Sequence, residues 1–346
     1  MRYRFDEIAY NSTAKKKPTE DDKETYIGLE HLDSECLTIS RWGSEVAPVG
    51  EKLIMKKGDI LFGKRRAYQR KVGIAPFDGI FSAHGMVLRP NEEVINPNFF
   101  PFFISSDQFM ERAVRISVGG LSPTINWKDL REQEFDIPSL DEQKELADKL
   151  WAAYNLKESY KKLLSATDEM VKSQFIEMFG DDKYPLIKLG DYTDLTWGDT
   201  NTTKNSYVHE GYLAFSASGP DGKLDHFDYD CEAVVLSAIG ADCGKTWFAS
   251  GKWSCIKNTI RFWSTSNELD NRFLYFATRE KGFWPRRGGA QPFISQGDAR
   301  NCFIILPPVS LQRKFVGISE QADKSKFELR KSIDAIDAVI KSLING

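Results

Sequence analysis

Apolar and polar positions along the chain follow two kinds of pattern, and each kind occurs twice. Short apolar or alternating runs, broken by Gly, Pro and Asn, fill residues 25–137 and again residues 186–306, and they predict strands joined by turns. Residues 98–115 and 271–279 have helical patterns. The clearest strand candidates are 52–55, 59–62, 85–88, 233–236, 246–248 and 259–263. The pattern therefore predicts two α+β domains of mixed, β-rich fold.

A long helix is predicted after each of these regions. About 37 residues run without Pro and almost without Gly after Pro138, and again after Pro308. A proline just ahead of such a run marks a helix start, and apolar residues recur at steps of three and four. The expected organisation is a first domain, a central helix, a second domain and a C-terminal helix, at 1–139, 140–179, 180–307 and 308–346.

The apolar stripe on each long helix needs a partner. Core packing is the usual explanation for such a stripe, but helices of roughly 50 to 55 Å, at about 1.5 Å per residue, are too long for one small domain to cover. Because a whole domain separates the two helices, they can pair as an antiparallel coiled coil. The first stripe is wider than one helix can cover, so we expect another protein to bind Leu156, Leu163, Met170 and Val171.

The chain also repeats itself, without gaps, at an offset of 169 residues. Fifteen of the 57 positions in residues 119–175 are identical to those in residues 288–344, where composition alone gives roughly three or four. A unit this long is a duplicated domain, since solenoid repeats have periods of about 20 to 50 residues. The chain therefore presents two similar surfaces, and we expect its target to have two parts.

Length and composition limit the classes of protein. A chain of 346 residues fits two domains. It has no apolar run near the roughly 18 residues of a membrane span and no signal-peptide core at its first residues, so we expect a cytoplasmic protein. The net charge of −3 gives no global basic field, so any nucleic-acid contact must rest on local patches. The five cysteines lack metal-ligand spacing, which predicts reduced thiols and no metal site.

The first local patch is a run of basic residues at 64–71. Lys and Arg neutralise phosphates, while Arg and Gln also read guanine and adenine edges in the major groove. Charge runs are usually solvated loops, but this one lies between strand-like segments, so we predict DNA contact. Its candidates are Lys64, Arg65, Arg66, Tyr68, Gln69, Arg70 and Lys71.

Three further segments are candidates for DNA contact. Two are equivalent in the repeat, and their glycines would let the backbone approach a phosphate closely. The third is a polar loop for which a plain turn is an equal alternative. In the first segment the candidates are Gly119, Gly120 and Ser122; in its repeat, Arg286, Arg287 and Gln291; in the polar loop, Trp197, Asn201, Thr202 and Lys204.

Catalytic motifs are incomplete. Adenine methyltransferases hold the flipped base with an Asp/Asn-Pro-Pro-aromatic motif, and the nearest match, 96–99, lacks the second proline, so a turn before a helix is the better interpretation. The chain has no Gly-x-x-x-x-Gly-Lys-Ser/Thr loop for nucleotide phosphates. The nuclease-like segments 142–144 and 181–183 lack an upstream Pro-Asp partner. We therefore predict no catalytic residues in this chain.

Two motifs carry a family resemblance. A Gly-Gly-x-x-Pro-x-Ile segment closes each domain, and a Pro-x-x-x-x-Gln motif, Pro138 to Gln143 and Pro307 to Gln312, precedes each long helix. In this layout essentially the whole chain resembles the specificity subunit of a type I restriction-modification system. Segments 218–223 and 239–245 look like loops of that family's target-recognition domains. The first domain departs from this pattern, so the two domains should read different sequences.

The resemblance implies a DNA-binding adaptor that is not an enzyme. Such subunits bind a bipartite DNA sequence, one half-site per domain, and their paired helices set the spacing. They recruit two adenine-N6 methyltransferase subunits, which use S-adenosylmethionine, and the assembly can add translocase-nuclease subunits that use ATP and Mg²⁺. No cofactor is expected in this chain. The alternative is a non-catalytic, protein-binding coiled-coil scaffold, which the slightly acidic net charge favours and the basic run disfavours.

Overall fold

The computed structural model describes residues 1–180 and 183–345 of the chain. Asp181 and Asp182 of the nuclease-like segment, and Gly346, lie outside the described residues. No helix in the described part of the chain combines the length and the apolar character needed to cross a membrane.

The chain divides into two compact units. One consists of Met1–Lys162 with Arg330–Gly346, and the other of Leu163–Leu329. Each unit therefore combines one α+β domain with part of each long helix. The boundaries between the two units fall within the long helices, at residues 162/163 and 329/330. The sequence pattern had instead predicted each long helix as a segment separate from the domains.

The first domain contains three sheets and is followed by the central helix. In chain order the elements are β1 (Arg2–Arg4), α1 (Phe5–Ile8), β2 (Ala9–Ser12), β3 (Lys15–Lys16), β4 (Tyr26–Ile27), β5 (Lys52–Met55), β6 (Ile60–Phe62), β7 (Val72–Ile74), β8 (Gly79–Phe81), β9 (Met86–Pro90), α2 (Phe100–Ser105), α3 (Asp107–Arg115), α4 (Trp127–Leu130), β10 (Glu134–Asp136) and the central helix α5 (Leu140–Phe179). Two sheets are four-stranded, ordered β2-β9-β6-β7 and β3-β5-β8-β4, and one is two-stranded, β1-β10. All three residues of β6 are buried, as its apolar sequence predicts.

The second domain repeats this plan. Its elements are β11 (Leu186–Lys188), α6 (Leu189–Tyr192), β12 (Thr193–Trp197), β13 (Tyr212–Ser216), β14 (Gly219–Leu224), β15 (Tyr229–Asp230), β16 (Ala233–Ser237), β17 (Thr246–Ala249), β18 (Lys252–Cys255), β19 (Thr259–Ser264), α7 (Asn271–Thr278), α8 (Gln296–Arg300), β20 (Phe303–Ile305) and the C-terminal helix α9 (Val309–Asn345). The sheets are ordered β12-β19-β16-β17, β14-β13-β18-β15 and β11-β20. All five residues of β16 are buried.

The predicted α+β class is confirmed, and every strand segment predicted above contains a strand. Two local predictions were wrong. The helical pattern at 98–115 is two helices, because Ser106 is extended and its hydroxyl caps α3 by accepting from the Phe109 N–H at 3.1 Å. The segment 218–223, expected as a loop, forms most of β14, because its backbone pairs with β13 across a bulge.

The two long helices pair in the antiparallel sense within each unit. In the first unit Lys157 of α5 pairs with Asp337 of α9, and Leu150, earlier in α5, lies in a core that also packs Leu343. In the second unit Lys326 of α9 pairs with Asp168, while rings of Phe175 and Phe315 lie 5.3 Å apart. In both units later residues of one helix therefore meet earlier residues of the other.

The Pro-x-x-x-x-Gln motif joins the first helix to its domain. Gln143 is fully buried, and its carbonyl oxygen accepts from the Asn96 N–H at 2.7 Å. Its amide donates to the carbonyls of Val94 and Pro138, both at 3.0 Å. The bonds to Asn96 and Val94 fix the start of α5 against the turn before α2, while the bond to Pro138 stays within the segment that opens α5. The sequence at 96–99 is therefore a structural turn.

Gln312 repeats this arrangement in the second domain. It is also fully buried, and its carbonyl oxygen accepts from the Asp270 N–H at 2.8 Å. Its amide donates to the carbonyls of Glu268 and Pro307, both at 2.7 Å. The duplicated motif thus performs the same task twice.

Candidate nucleic-acid interface

A small hairpin carries the Gly-Gly segment of the first domain. The Val118 N–H donates to the Thr124 carbonyl at 3.0 Å, and the Thr124 N–H donates back at 2.9 Å. Gly119 has φ +113°, which an L side chain rarely adopts, so glycine suits the start of this loop. Gly120 is exposed and has nothing within 4 Å of the Cβ it lacks. The loop therefore presents accessible backbone.

The basic run meets this hairpin. Arg65 forms a β-bridge with Thr124, and the Arg66 N–H donates to the Pro123 carbonyl at 2.7 Å. The Arg66 guanidinium also donates to the Ser122 hydroxyl at 3.2 Å. The structure therefore brings together two candidate segments that lie more than fifty residues apart in the sequence.

The same junction recurs in the second domain. Ile239 forms a β-bridge with Phe293, and the Gly240 N–H donates to the Pro292 carbonyl at 3.0 Å. Arg287 closes the second hairpin by bridging to Phe293. In both domains the loop that leaves the buried central strand, β6 or β16, thus bonds to a Gly-Gly hairpin.

Arg66 occupies a backbone position that the second domain gives to glycine. Its φ and ψ are 56° and 52°, in the left-handed region, while Gly240 has φ +104°. A non-glycine residue there costs about 1 kcal/mol or more. The hydrogen bond from the Arg66 N–H to the Pro123 carbonyl stabilises this conformation. Glycine would adopt the same conformation with less strain, yet the first domain has an exposed arginine here.

The cations of the basic run have different surroundings. Arg70 forms ion pairs with Asp107 at 2.7 Å and Glu35 at 3.3 Å. The Lys71 ammonium donates to the Leu29 carbonyl at 2.7 Å. These two cations are engaged within their own domain and serve its structure. The sequence could not separate them from their neighbours, because their partners are distant along the chain.

The remaining residues of the run differ in exposure. Lys64 is half-buried, and burial, together with the charge of Lys15, lowers the pKa of its ammonium. Gln69 is half-buried, and Tyr68 is exposed. The exposed candidates are Arg65, Arg66 and Tyr68.

In the second domain the counterpart candidates are all exposed. Arg286 and Gln291 lie at the surface on either side of the Gly-Gly turn. Arg287 is exposed too, but it forms an ion pair with Asp298 at 2.5 Å. Gly288 has φ +81° and opens the turn as Gly119 does in the first hairpin. Arg286 and Gln291 are thus the best placed for an external contact.

The polar segment at 197–204 begins at the last residue of β12 and continues into the loop that follows. Trp197 is half-buried and packs against the core of the second domain. Asp199 organises the turn, because it accepts from the Asn201 N–H at 2.9 Å and from the Thr202 hydroxyl. The Asn201 side chain stays exposed, while Thr202 is half-buried. Of the three predicted candidates Trp197, Asn201 and Thr202, Asn201 is therefore the exposed one.

Lys204 is held by an internal network. Its ammonium pairs with Asp221 at 2.5 Å, and Asp221 also accepts from Tyr207 and Ser216, both at 2.9 Å. Although burial acts to raise the pKa of Asp221, the hydrogen bonds from Lys204, Tyr207 and Ser216 keep that pKa below its ordinary value. Lys204 therefore anchors the loop to β14.

One exposed residue of this interface was missed by the sequence reasoning. Leu121 stands between the predicted Gly120 and Ser122 at the tip of the first hairpin, with 96% of its surface exposed. The sequence feature that could have identified Leu121 is a large apolar residue in a turn, where Gly, Asn, Asp and Ser are usual.

The face of α5 proposed for a partner is only partly accessible. Leu156, Leu163 and Met170 are each about half exposed. Val171 needs correction, because it is 2% exposed and lies in the core of the second domain. It follows Met170 by one residue and so faces another side of the helix.

Comparisons with known proteins agree with this architecture. Residues 7–166 match the family model described as "Type I restriction modification DNA specificity domain". Over 145 residues the chain is 29% identical to the type I restriction enzyme EcoDI specificity subunit of Escherichia coli. That alignment covers 41% of this chain and 32% of the relative, so it spans about a third of the relative's length.

Two solved structures share the fold over the whole chain. The type I restriction-modification system S subunit from M. genitalium has a TM-score of 0.65 at 16% identity, covering 99% of this chain and 94% of that one. A chain from a structure on complex assembly and conformational transition of the type I system has a TM-score of 0.59 at 17% identity, covering 99% and 96%. The predicted resemblance is confirmed: the chain has the fold of type I specificity subunits, and its residues 7–166 match the model of their DNA-specificity domain.

Proposed function

We propose that this chain reads a bipartite DNA target, one half-site per domain, for a type I restriction-modification complex. The observation that carries the proposal is the repeated junction, in which the loop after a buried central strand bonds to a Gly-Gly hairpin in both domains. Its backbone is alike in the two domains, but its side chains differ, Arg65 and Arg66 against Ile239 and Gly240. Two junctions with a similar backbone and different side chains suit two different half-sites.

The exposed side chains have the chemistry for this task. Arg65, Arg66 and Arg286 can neutralise phosphates or bind guanine, and Asn201 and Gln291 can bind adenine. The accessible backbone at the Gly-Gly turns adds donors that can approach a phosphate. Because the chain's net charge is −3, this contact would depend on the local charges of the two interfaces.

Partner binding is the second part of the proposal. The half-exposed apolar residues Leu156, Leu163 and Met170 of α5 would bind adenine methyltransferase subunits, two per chain. S-adenosylmethionine would bind those subunits, and ATP and Mg²⁺ would bind any translocase-nuclease subunits that join. The chain itself would be a non-catalytic cytoplasmic adaptor whose paired helices set the distance between half-sites.

Selection from random duplex DNA tests the proposal. The complex of this chain with its methyltransferase partner should enrich two blocks of defined sequence, separated by a spacer of constant length and free sequence. An Arg65→Gln, Arg66→Gln complex should relax one block and keep the other, so the second domain is an internal control. Enrichment of one block or none contradicts the proposal, and no DNA binding even at low salt favours the protein-binding scaffold.

A further inference from the structure

Leu121 is fixed in position although nothing covers its side chain. The ladder between Val118 and Thr124 closes the loop that carries it, and Arg65 extends this ladder on the far side of Thr124. The first hairpin is therefore bonded to the segment after β6 along its Thr124 strand. An apolar side chain that is 96% exposed at such a tip gains nothing for the stability of this chain.

The second domain gives the equivalent position to a small residue. In the internal repeat Leu121 aligns with Ala290, which is also exposed at the tip of its hairpin. The hairpin fold therefore does not require a large apolar residue at its tip. Leu121 is particular to the first domain, as Arg65 and Arg66 are.

The hairpin loop that carries Leu121 also binds the side chain of Arg66. The Arg66 guanidinium donates to the hydroxyl of Ser122, the next residue after Leu121, at 3.2 Å. The structure thus brings an exposed cation of one segment against the hairpin loop that carries an exposed apolar group. DNA presents the thymine methyl group among phosphates and polar base edges, so it offers a partner to both kinds of side chain.

We propose that Leu121 reads the C5-methyl group of a thymine in the half-site bound by the first domain. The thymine methyl lies in the major groove, where apolar side chains contact it and where arginine binds guanine. Leu121 and the Arg66 guanidinium lie on the same hairpin surface, and they match a thymine methyl group and the edge of a nearby guanine. Leu121 is then a specificity-determining residue, and this inference rests on the proposed function.

Deoxyuridine tests the inference, because it differs from thymidine only by the missing methyl group. Each thymine of the two selected half-sites is replaced singly, and binding of the chain in complex with its methyltransferase partner is measured. We expect one replacement in one half-site to weaken binding about fourfold, the factor for about 0.8 kcal/mol per buried methyl-sized group. Leu121→Ala should bind the thymine and deoxyuridine duplexes equally at that position.

The repeat provides the matched control. Ala290→Gly, at the equivalent tip of the second hairpin, should leave the wild-type deoxyuridine pattern unchanged. The inference is overturned if no replacement weakens wild-type binding, or if Leu121→Ala keeps the full deoxyuridine effect. It is also overturned if Leu121→Ala reduces DNA bending without changing the deoxyuridine effect, since Leu121 would then act as a wedge between base steps. These results leave the proposed function intact, whereas a complex that does not prefer its target over random duplex overturns both.

Discussion

The Lys326 ammonium donates to Asp168 at 2.8 Å, and Lys157 forms the matching ion pair with Asp337 in the other unit. The internal repeat aligns the two lysines with each other and the two aspartates with each other. Each pair therefore joins one helix from each copy of the duplication. Burial acts to lower the pKa of Lys326, but its hydrogen bonds to Asp168 and Asp323 hold that pKa above its ordinary value.

These ion pairs should respond to exchange of charge. Asp168→Lys places a second cation against Lys326 and should destabilise the chain, while the double variant Asp168→Lys, Lys326→Asp should recover part of the loss. Because Asp168 is about half exposed, we expect a coupling of only about 1 kcal/mol. Urea unfolding of the single and double variants measures it, and independent, additive effects would contradict a specific pair.

The buried glutamines should be costly to remove. Gln143→Ala removes a fully buried side chain and leaves one N–H and two carbonyls without their partner, so we expect a loss of about 2 to 4 kcal/mol in the free energy of unfolding. Gln312→Ala should cost a similar amount, since its three bonds are equivalent. Gln321→Ala, exposed on α9, is the control and should change stability by less than about 0.5 kcal/mol. A control that loses as much as the buried variants would contradict this account.

The basic run contains exposed arginines and an internally paired arginine, and their substitution should change different measured quantities. Arg65→Gln with Arg66→Gln should lower the magnitude of the salt slope of DNA binding by about 0.9 for each lost phosphate contact. Arg70→Gln should instead lower stability and leave the slope unchanged, because Arg70 is paired with Asp107 and Glu35. Binding titrations at several salt concentrations, with unfolding of each variant, measure both quantities. An unchanged slope for the double variant would make this run a solvated loop.

Part of this structure follows from local sequence and part does not. The long helices begin where proline and polar residues predict, at Leu140 and Val309, and the buried strand 233–236 follows from its apolar run. These features need only neighbouring residues. The ion pairs of Arg70 and the burial of Val171 depend on residues that are distant in the chain, so pattern alone could not reveal them.

The partner surface should respond differently at adjacent positions of α5. Leu156→Asp and Met170→Asp change half-exposed residues, so the chain should stay folded while losing the proposed methyltransferase partner in co-purification. Val171→Asp should instead destabilise the second domain, because it places an unpaired carboxylate in an apolar core. If the first two variants retain the partner fully, the methyltransferase binds elsewhere.

The proposed role of this chain is to supply DNA sequence specificity to a methyltransferase. The most direct measurement is the adenine methylome of cells that produce the methyltransferase partner with and without this chain. We predict one bipartite motif, with a methylated adenine in each half-site and a constant spacer, that appears only when the chain is present. The same motif in cells without the chain, or no new motif in cells with it, would contradict the account.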